Sequence, residues 1–595
     1  MTCVRGGRRL RVTTRPKAEA EAQAKGGRGM RTGSASPVML NTPLRLSLSL
    51  RLRPFRSMTA AALIGITAPP VTAQDAAHPG KAVYDKWCAG CHGADGKGQG
   101  SAAGYMLPRP RDFTLGLYQI RTTASGELPT DADLLAVIDD GMPGTAMPGW
   151  RTQLSQQDRN NLVAYLKTFS RFFQNANPQA VDFGSAPRVS DAVLDTGRAV
   201  YQRMECWKCH GDTGRGNGTS APTQEDDTGF PIRPADLTEP WHFNGGGTVE
   251  DIYRRFRTGL NGTPMPSYTD AIAANLVTEE GLWAVAHYVR SLAPEDPVVR
   301  EVVRAARVEG DLPATPDDSA WAEVERFYVP LVGQIVVKPR WFSPSVDGVW
   351  VQALHNGQEL ALRLVWSDPS RSPAPEWAQW RGRILETMEP KEDVGTAVTP
   401  EAMPPAGPAA VGDAAPAQAT ALTGAPDMLV VQFPRRVPSG MERPYFLMGT
   451  AREPVYLWRW QSEPEGAAEL LGRGMARMDP LPGAGNGLAG ASVFDDGQWR
   501  VVMRRPLAAA DSANAITFAG QQPIPMALFA WDGDNGEAGA RGAISTWYFI
   551  YLDEPTSGTV YATPVVAMLL TAGLGVFAVG RAQRRERERD GRDDA

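Results

Sequence analysis

Cysteine is scarce. Only 5 of 595 residues are cysteine, and four of them form two C-x-x-C pairs, Cys88/Cys91 and Cys206/Cys209. That excludes a disulfide-dense scaffold. Compositional bias is absent as well: 61 Gly and 49 Pro make turns and linkers, not a collagen-like or low-complexity chain. With 42% hydrophobic and 21% charged residues the chain reads as globular, and its length predicts about four domains. The body also lacks basic charge. Residues 1–57 carry 13 Lys/Arg against 2 Asp/Glu, so the formal net charge of -5 leaves residues 74–595 at -16. An acidic body argues against nucleic acid as a partner.

Two uncharged runs flank the chain. Arg45, Arg51, Arg53 and Arg56 precede the stretch from Met58 to Ala68, and Val71-Thr72-Ala73 offers small residues for cleavage. This is the pattern of a secretory signal, so 1–73 is expected to be a targeting segment, its true start open among Met30, Met39 and Met58. At the other end, Val560 to Gly580 is 21 residues without a charge. At about 1.5 Å per residue it matches the hydrocarbon core of a bilayer. An arginine-rich tail follows, from Arg581 to Arg592. The positive-inside rule assigns that tail to the cytoplasm. The expectation is a single-pass inner-membrane protein, spanning at 559–580, with its body on the periplasmic side and 581–595 as cytoplasmic tail.

Cys88-Ala89-Gly90-Cys91-His92 and Cys206-Trp207-Lys208-Cys209-His210 are both C-x-x-C-H motifs. Two thiols one helical turn apart can each add to a vinyl group of one porphyrin, and the adjacent histidine is then held under the iron. Alone, C-x-x-C also serves zinc and thiol redox chemistry. Here the surroundings repeat. Each motif follows a short amphipathic lead-in (Gly80–Tyr84, Gly197–Tyr201) and precedes a glycine-rich turn. Next come Arg109-Pro110-Arg111-Asp112 and Arg233-Pro234-Ala235-Asp236, then Met147-Pro148 and Met265-Pro266. His92 to Met147 and His210 to Met265 are both 55 residues. Each unit closes on a helix, and neither C-x-x-C has the second pair that a four-ligand zinc site needs. A duplicated unit of 118 residues accounts for all of this. It predicts two covalent haem c groups, attached at Cys88/Cys91 and Cys206/Cys209.

The expected iron ligands are His92 with Met147 and His210 with Met265. A thioether opposite the histidine is a soft ligand that raises the potential, and it fills the position a substrate would need. Met142 competes with Met147, but Leu260 stands at its offset in the second unit. On these motifs, residues 78–172 and 190–293 resemble class I c-type cytochrome domains, which implies compact all-α folds at 76–175 and 188–295. His242 and His287 read as packing residues, and His78 as solvated.

From about Trp321 the pattern changes. Segments rich in Val, Leu, Trp and Tyr, bounded by Gly, Pro, Asp and Asn, predict about eight strands between 329 and 552, with a hairpin at His355-Asn356-Gly357. An all-β sandwich over 320–556 is expected. The Ala/Pro-rich stretch 396–426 reads as a flexible insertion. This half resembles the haem-binding gamma subunits of the ethylbenzene dehydrogenase and dimethylsulfide dehydrogenase group. The matching phrases are Gly348 to Gly357, Phe446-Leu447-Met448-Gly449, Ala530-Trp531-Asp532-Gly533 and Ile544-Ser545-Thr546-Trp547. That resemblance implies one noncovalent haem b with methionine and lysine ligands, serving a molybdenum enzyme. Met448 matches the methionine. Where the lysine is expected the chain reads Ala540-Arg541-Gly542, and guanidinium is no ordinary iron ligand. The third haem and its second ligand therefore stay open at this point.

Together these readings predict a membrane-anchored electron carrier with no catalytic residues of its own. It would pass electrons between a molybdopterin oxidoreductase or quinol system and another carrier, such as a soluble cytochrome. Two alternatives remain: a dihaem enzyme with an open iron, and a β-domain that only docks the cytochromes to a partner.

Overall fold

The computed structural model describes residues 78–293, 296–388, 424–438, 443, 445–475, 477–483, 485–520, 522–554 and 558–593. The expected targeting segment, 1–73, lies outside the described residues, as does the expected insertion apart from 424–426.

The two repeats fold alike. The first holds α1 (Lys81–Trp87), α2 (Ala89–His92), α3 (Asp131–Asp140) and α4 (Gln156–Lys167). The second holds α5 (Asp191–Arg203), α6 (Trp207–His210), α7 (Val249–Thr258), α8 (Thr269–Ala273) and α9 (Glu279–Ser291). The likeness extends to single hydrogen bonds. Thr130 and Thr248 each close a capping box with the Asp three residues on, satisfying helix N–H groups that would otherwise be bare. The first and last helices of each unit cross at a glycine. A methyl group at Gly80 would strike the Asn161 carbonyl and stand 2.8 Å from Tyr165 Cβ. At Gly197 it would strike the Ala284 carbonyl and stand 2.7 Å from Tyr288 Cβ. Tyrosine pairs seal both crossings, Tyr84–Tyr165 at 5.4 Å and Tyr201–Tyr288 at 5.5 Å. Between helices the units are ordered loops, and the second carries an isolated β-bridge between Glu225 and Pro231.

The second half is a large mixed β-sheet. Its strands are β1 (Val302–Arg307), β2 (Phe327–Pro330), β3 (Val332–Gly333), β4 (Gly348–His355), β5 (Glu359–Ser367), β6 (Met428–Phe433) and β7 (Val455–Ser462). They continue with β8 (Glu465–Gly472), β9 (Met478–Pro480), β10 (Ala489–Asp495), β11 (Gln498–Pro506), β12 (Ile524–Trp531), β13 (Ala543–Ile544) and β14 (Tyr548–Leu552). The main path runs β10-β11-β5-β4-β1-β14-β12-β6-β7-β8-β9. The two wings close on one another: Trp460 of β7 meets Trp366 of β5 at 5.6 Å and Trp499 of β11 at 4.6 Å. All three rings are buried, and each contributes about 2 kcal/mol or more by leaving water.

Three features depart from the expected all-β pattern. Strand β1 precedes residue 320 and lies parallel to both neighbours, β4 and β14. The last strand segment is split into β13 and β14 around Ser545-Thr546-Trp547. A helix, α10 (Ala378–Met388), packs Trp380, Ile384 and Leu385 into an apolar cluster. Ala221 of the second repeat joins that cluster and Leu107 of the first packs against it, so all three parts meet there. The chain ends in α11 (Gly558–Asp593), whose Ala562–Arg587 stretch is long and apolar enough to cross a membrane. Its residues 562–579 are exposed.

Candidate functional site

The short helices α2 and α6 each end on the motif histidine, and the two histidines make the same contact. His92 Nδ1 lies 3.0 Å from the Arg111 carbonyl, and His210 Nδ1 lies 2.9 Å from the Ala235 carbonyl. Both acceptors sit in the repeated Pro-x-Asp phrase. Its aspartate fixes the turn: Asp112 accepts from Thr114 N at 2.8 Å, and Asp236 from Thr238 N at 2.8 Å. The tyrosines of the lead-in helices brace the far side, Tyr84 Oη donating to the Gly93 carbonyl at 2.7 Å and Tyr201 Oη to the Gly211 carbonyl at 2.5 Å.

The methionine loops also match. Met142 N donates to the Met147 carbonyl at 3.0 Å, and Leu260 N to the Met265 carbonyl at 3.1 Å. Thr145 and Thr263 each accept from the following methionine N–H at 3.2 Å. The geometry therefore equates Met147 with Met265 and Met142 with Leu260. Both methionines are half-buried, and Met265 packs against the cluster that holds Cys206 and Trp207.

These donor sets suit covalent haem. A carbonyl only accepts, so each Nδ1 carries the proton and each Nε2 keeps its lone pair for iron. Burial holds both imidazoles below their ordinary range and keeps them neutral. Among the described residues the four cysteines form no disulfide. Burial, and then Cys91, pushes the Cys88 thiol up to about 12, and burial pushes Cys206 up to about 11.

The first repeat grips the loop that carries Met265. Arg121, buried in the first repeat, donates through Nη2 to the Thr258 carbonyl at 2.5 Å and to Asn261 Oδ1 at 2.9 Å. Arg111, whose carbonyl holds His92, sends its guanidinium over Gly262, where a methyl group would stand 3.4 Å from Nη1. In return, Gly144 of the Met147 loop lies against the His242 carbonyl. The proximal side of the first site thus abuts the methionine side of the second. Nothing local in the sequence signals this, because the partners are 137 and 140 residues apart.

His242 is more than a packing residue. Its Nδ1 lies 2.7 Å from Asp347 of the sheet domain and 3.4 Å from Glu239. Burial alone would lower its basicity, but the two carboxylates outweigh it and push the group up to about 10. His287 is buried, with Nε2 2.9 Å from the Pro187 carbonyl. His78 is half-buried against Tyr165 at 5.3 Å. His355 is wholly buried, with Nε2 2.9 Å from the Asp553 carbonyl.

Met448 is fully buried in left-handed backbone, φ 57°. Gln432 fixes its turn, accepting from Met448 N at 2.8 Å and donating to the Tyr445 carbonyl at 3.2 Å. Its neighbours include Leu447, Val455, Met475 and Trp531. The Arg541 segment is tied to Gln334, which donates to the Ala540 carbonyl at 2.9 Å. An apolar cleft of about 570 Å³ lies nearby, lined by Val332, Ile335, Val336, Phe446, Ile544 and Trp547 among others, but not by Met448. An enclosed methionine with arginine in the lysine's place does not fit a methionine–lysine haem b pair.

Comparison with known proteins agrees with the twin sites. The family model for cytochrome c oxidase, cbb3-type, subunit III matches residues 75–166, and that for cytochrome c matches 194–293. The chain carries two cytochrome c-type domains, and it is a haem-binding electron-transfer protein. It is also homologous to gamma subunits of oxidoreductases. It is 27% identical over 256 residues to the dimethylsulfide dehydrogenase subunit gamma of Rhodovulum sulfidophilum, covering 40% of this chain and 74% of the relative. It is 32% identical over 104 residues to the chlorate reductase subunit gamma of Ideonella dechloratans, covering 17% and 41%. A candidate respiratory nitrate reductase heme subunit, ORF7 of Haloferax mediterranei, is 25% identical over 276 residues, covering 46% and 82%.

Proposed function

We propose that the chain is the membrane-anchored electron-transfer subunit of an oxidoreductase, relaying single electrons through two covalent haem c sites. Bound there, haem supplies one-electron exchange at iron. Cys88 and Cys91 hold one group and Cys206 and Cys209 the other. His92 and His210 supply nitrogen ligands, with Arg111 and Ala235 fixing the rings. Met147 and Met265 supply soft sulfur ligands that favour the reduced state and close the site to small substrates. Arg111 and Arg121 keep the two ligand loops in contact, which favours transfer between the sites over transfer to solvent species. The domains follow the limits 76–175 and 188–295, with the sheet beyond, and α11 anchors them on the periplasmic face of the cytoplasmic membrane.

The relatives are named as subunits of dehydrogenases and reductases, which supports a molybdopterin-type oxidoreductase as the redox partner. The sheet domain is then the part that seats the cytochromes on that partner. The observation carrying the proposal is the paired His–carbonyl tie with superposable methionine loops. An optical redox titration of the detergent-solubilised chain should show two one-electron steps. Carbon monoxide should leave the wild-type spectrum unchanged, and a shift with carbon monoxide would favour an enzyme with an open iron.

A further inference from the structure

Three aspartates from distant parts of the sheet domain meet where the second cytochrome domain docks. Asp368 follows β5, Asp427 precedes β6 and Asp532 follows β12. All three are fully buried, and one ligand oxygen from each lies within 4.8 Å of the others. Two oxygens on opposite sides of a calcium ion, at about 2.4 Å each, stand about 4.8 Å apart. Three oxygens at that upper limit lie about 2.8 Å from a common centre, so an inward shift of a few tenths of an ångström lets one ion reach all three.

Their hydrogen bonds leave one vacancy. Asp427 accepts from Ser372 N at 2.8 Å, Trp499 Nε1 at 3.0 Å and Gly533 N at 3.2 Å. Asp532 accepts from Asp534 N at 2.8 Å and Asn535 N at 3.1 Å, and pairs with Arg233 at 3.1 Å. Asp368 Oδ1 accepts from Ser370 N at 3.2 Å, but its buried Oδ2 has no partner. Of the nearby acids, Asp534 has its own cation and Glu537 has only neutral donors. Arg381 pairs with Asp534. Glu537 accepts from Trp341 Nε1 at 3.1 Å and Asn535 Nδ2 at 2.7 Å.

We propose that Asp368, Asp427 and Asp532 form a buried divalent-cation site of the calcium type that fastens the second cytochrome domain to the sheet. Asp368, Asp427 and Asp532 against the one guanidinium of Arg233 leave two buried negative charges without a counter-ion, and a divalent cation offsets both. The donor set is all oxygen, which selects a hard cation over zinc or copper. Closure to solvent favours calcium over magnesium, which keeps its waters.

The site has reach. Arg233, paired with Asp532, stands two residues before Ala235, whose carbonyl holds His210. Cation binding would thus set the pose of the second proximal histidine. This consequence rests on haem at His210, whereas the cation site itself does not.

The test is elemental analysis of the full-length chain after gel filtration in calcium-free buffer, with thermal unfolding before and after EDTA. The expected result is about one calcium per chain and a lower unfolding temperature after EDTA. Re-added calcium at 100-fold over its Kd should then restore about 100-fold in the unfolding constant. Asp368→Asn should hold no calcium and ignore EDTA. If that variant does not fold, the wild-type calcium titration decides alone. A chain with no bound cation, whose unfolding is indifferent to EDTA and calcium, would overturn the proposal and leave protons shared among the aspartates. A normal haem count in that case would leave the relay standing.

Discussion

Arg121→Met tests whether the two cytochrome domains work as one body. Arg121 is 2% exposed, and its guanidinium serves four oxygens. These are the Tyr118 carbonyl at 2.7 Å, the Ala124 carbonyl at 3.3 Å, the Thr258 carbonyl at 2.5 Å and Asn261 Oδ1 at 2.9 Å. Methionine keeps the length and apolar volume but donates nothing. A buried acceptor left bare costs about 1–3 kcal/mol, offset in part because the guanidinium no longer has to be desolvated. With at least two such acceptors stranded, the net loss should be about 3 kcal/mol, roughly a hundredfold in the opening of this interface. The effect has an address. Thr258 and Asn261 begin the loop that carries Met265, so the second haem should gain carbon monoxide reactivity while the first keeps its spectrum. Denaturant unfolding followed at the two haem bands reads both. Wild-type stability together with an unreactive second haem would refute the reasoning.

Four further outcomes follow from the same geometry. Met147→Ala and Met265→Ala should each retain covalent haem, lower one midpoint potential and admit carbon monoxide, whereas Met142→Ala should do none of these; a reversed pattern in redox titrations would shift the register of the first loop. Gly197→Ala should destabilise the second domain by about 1–3 kcal/mol or prevent its folding, because the new methyl overlaps the Ala284 carbonyl; unchanged melting would contradict the close crossing of α5 and α9. The His242 group is raised in the fold, so its contribution is complete below about 6.5 and is lost as pH rises through about 10; a pH series of unfolding should slope downward over that window, and Asp347→Asn should flatten it. Met448→Ala should cost the sheet domain about 2–5 kcal/mol as a core truncation, measured by denaturant unfolding, and should leave both covalent haem bands unchanged.

What the sequence made legible is what chemistry forces to be local. Covalent attachment demands two thiols and a histidine within five residues, so Cys88–His92 and Cys206–His210 announce themselves. The repeat carried the reading further, since the common offset to Met147 and Met265 reappears as identical loop hydrogen bonds. Strands rich in β-branched and aromatic residues were equally plain: β6 spans Met428–Phe433, as its composition predicts. Other elements exist only through their partners. Strand β8 reads Glu-Gly-Ala-Ala-Glu-Leu-Leu-Gly, with no β-branched residue, and is held by pairing along the whole of β7. The contacts of Arg121, Arg233 and His242 join residues far apart in the chain, and single-residue context read His242 as a packing residue. His355 sits beside a hairpin turn, as predicted, yet the segment just after β14 folds over it at Asp553.

The central claim is that this chain holds two covalent haems, each under its own motif histidine. Mass spectrometry of the mature, denatured chain tests it most directly. The account predicts the mass of the polypeptide plus two haems, and plus one when Cys88 and Cys91, or Cys206 and Cys209, are changed to serine. An intact chain with four free thiols and no haem would contradict it.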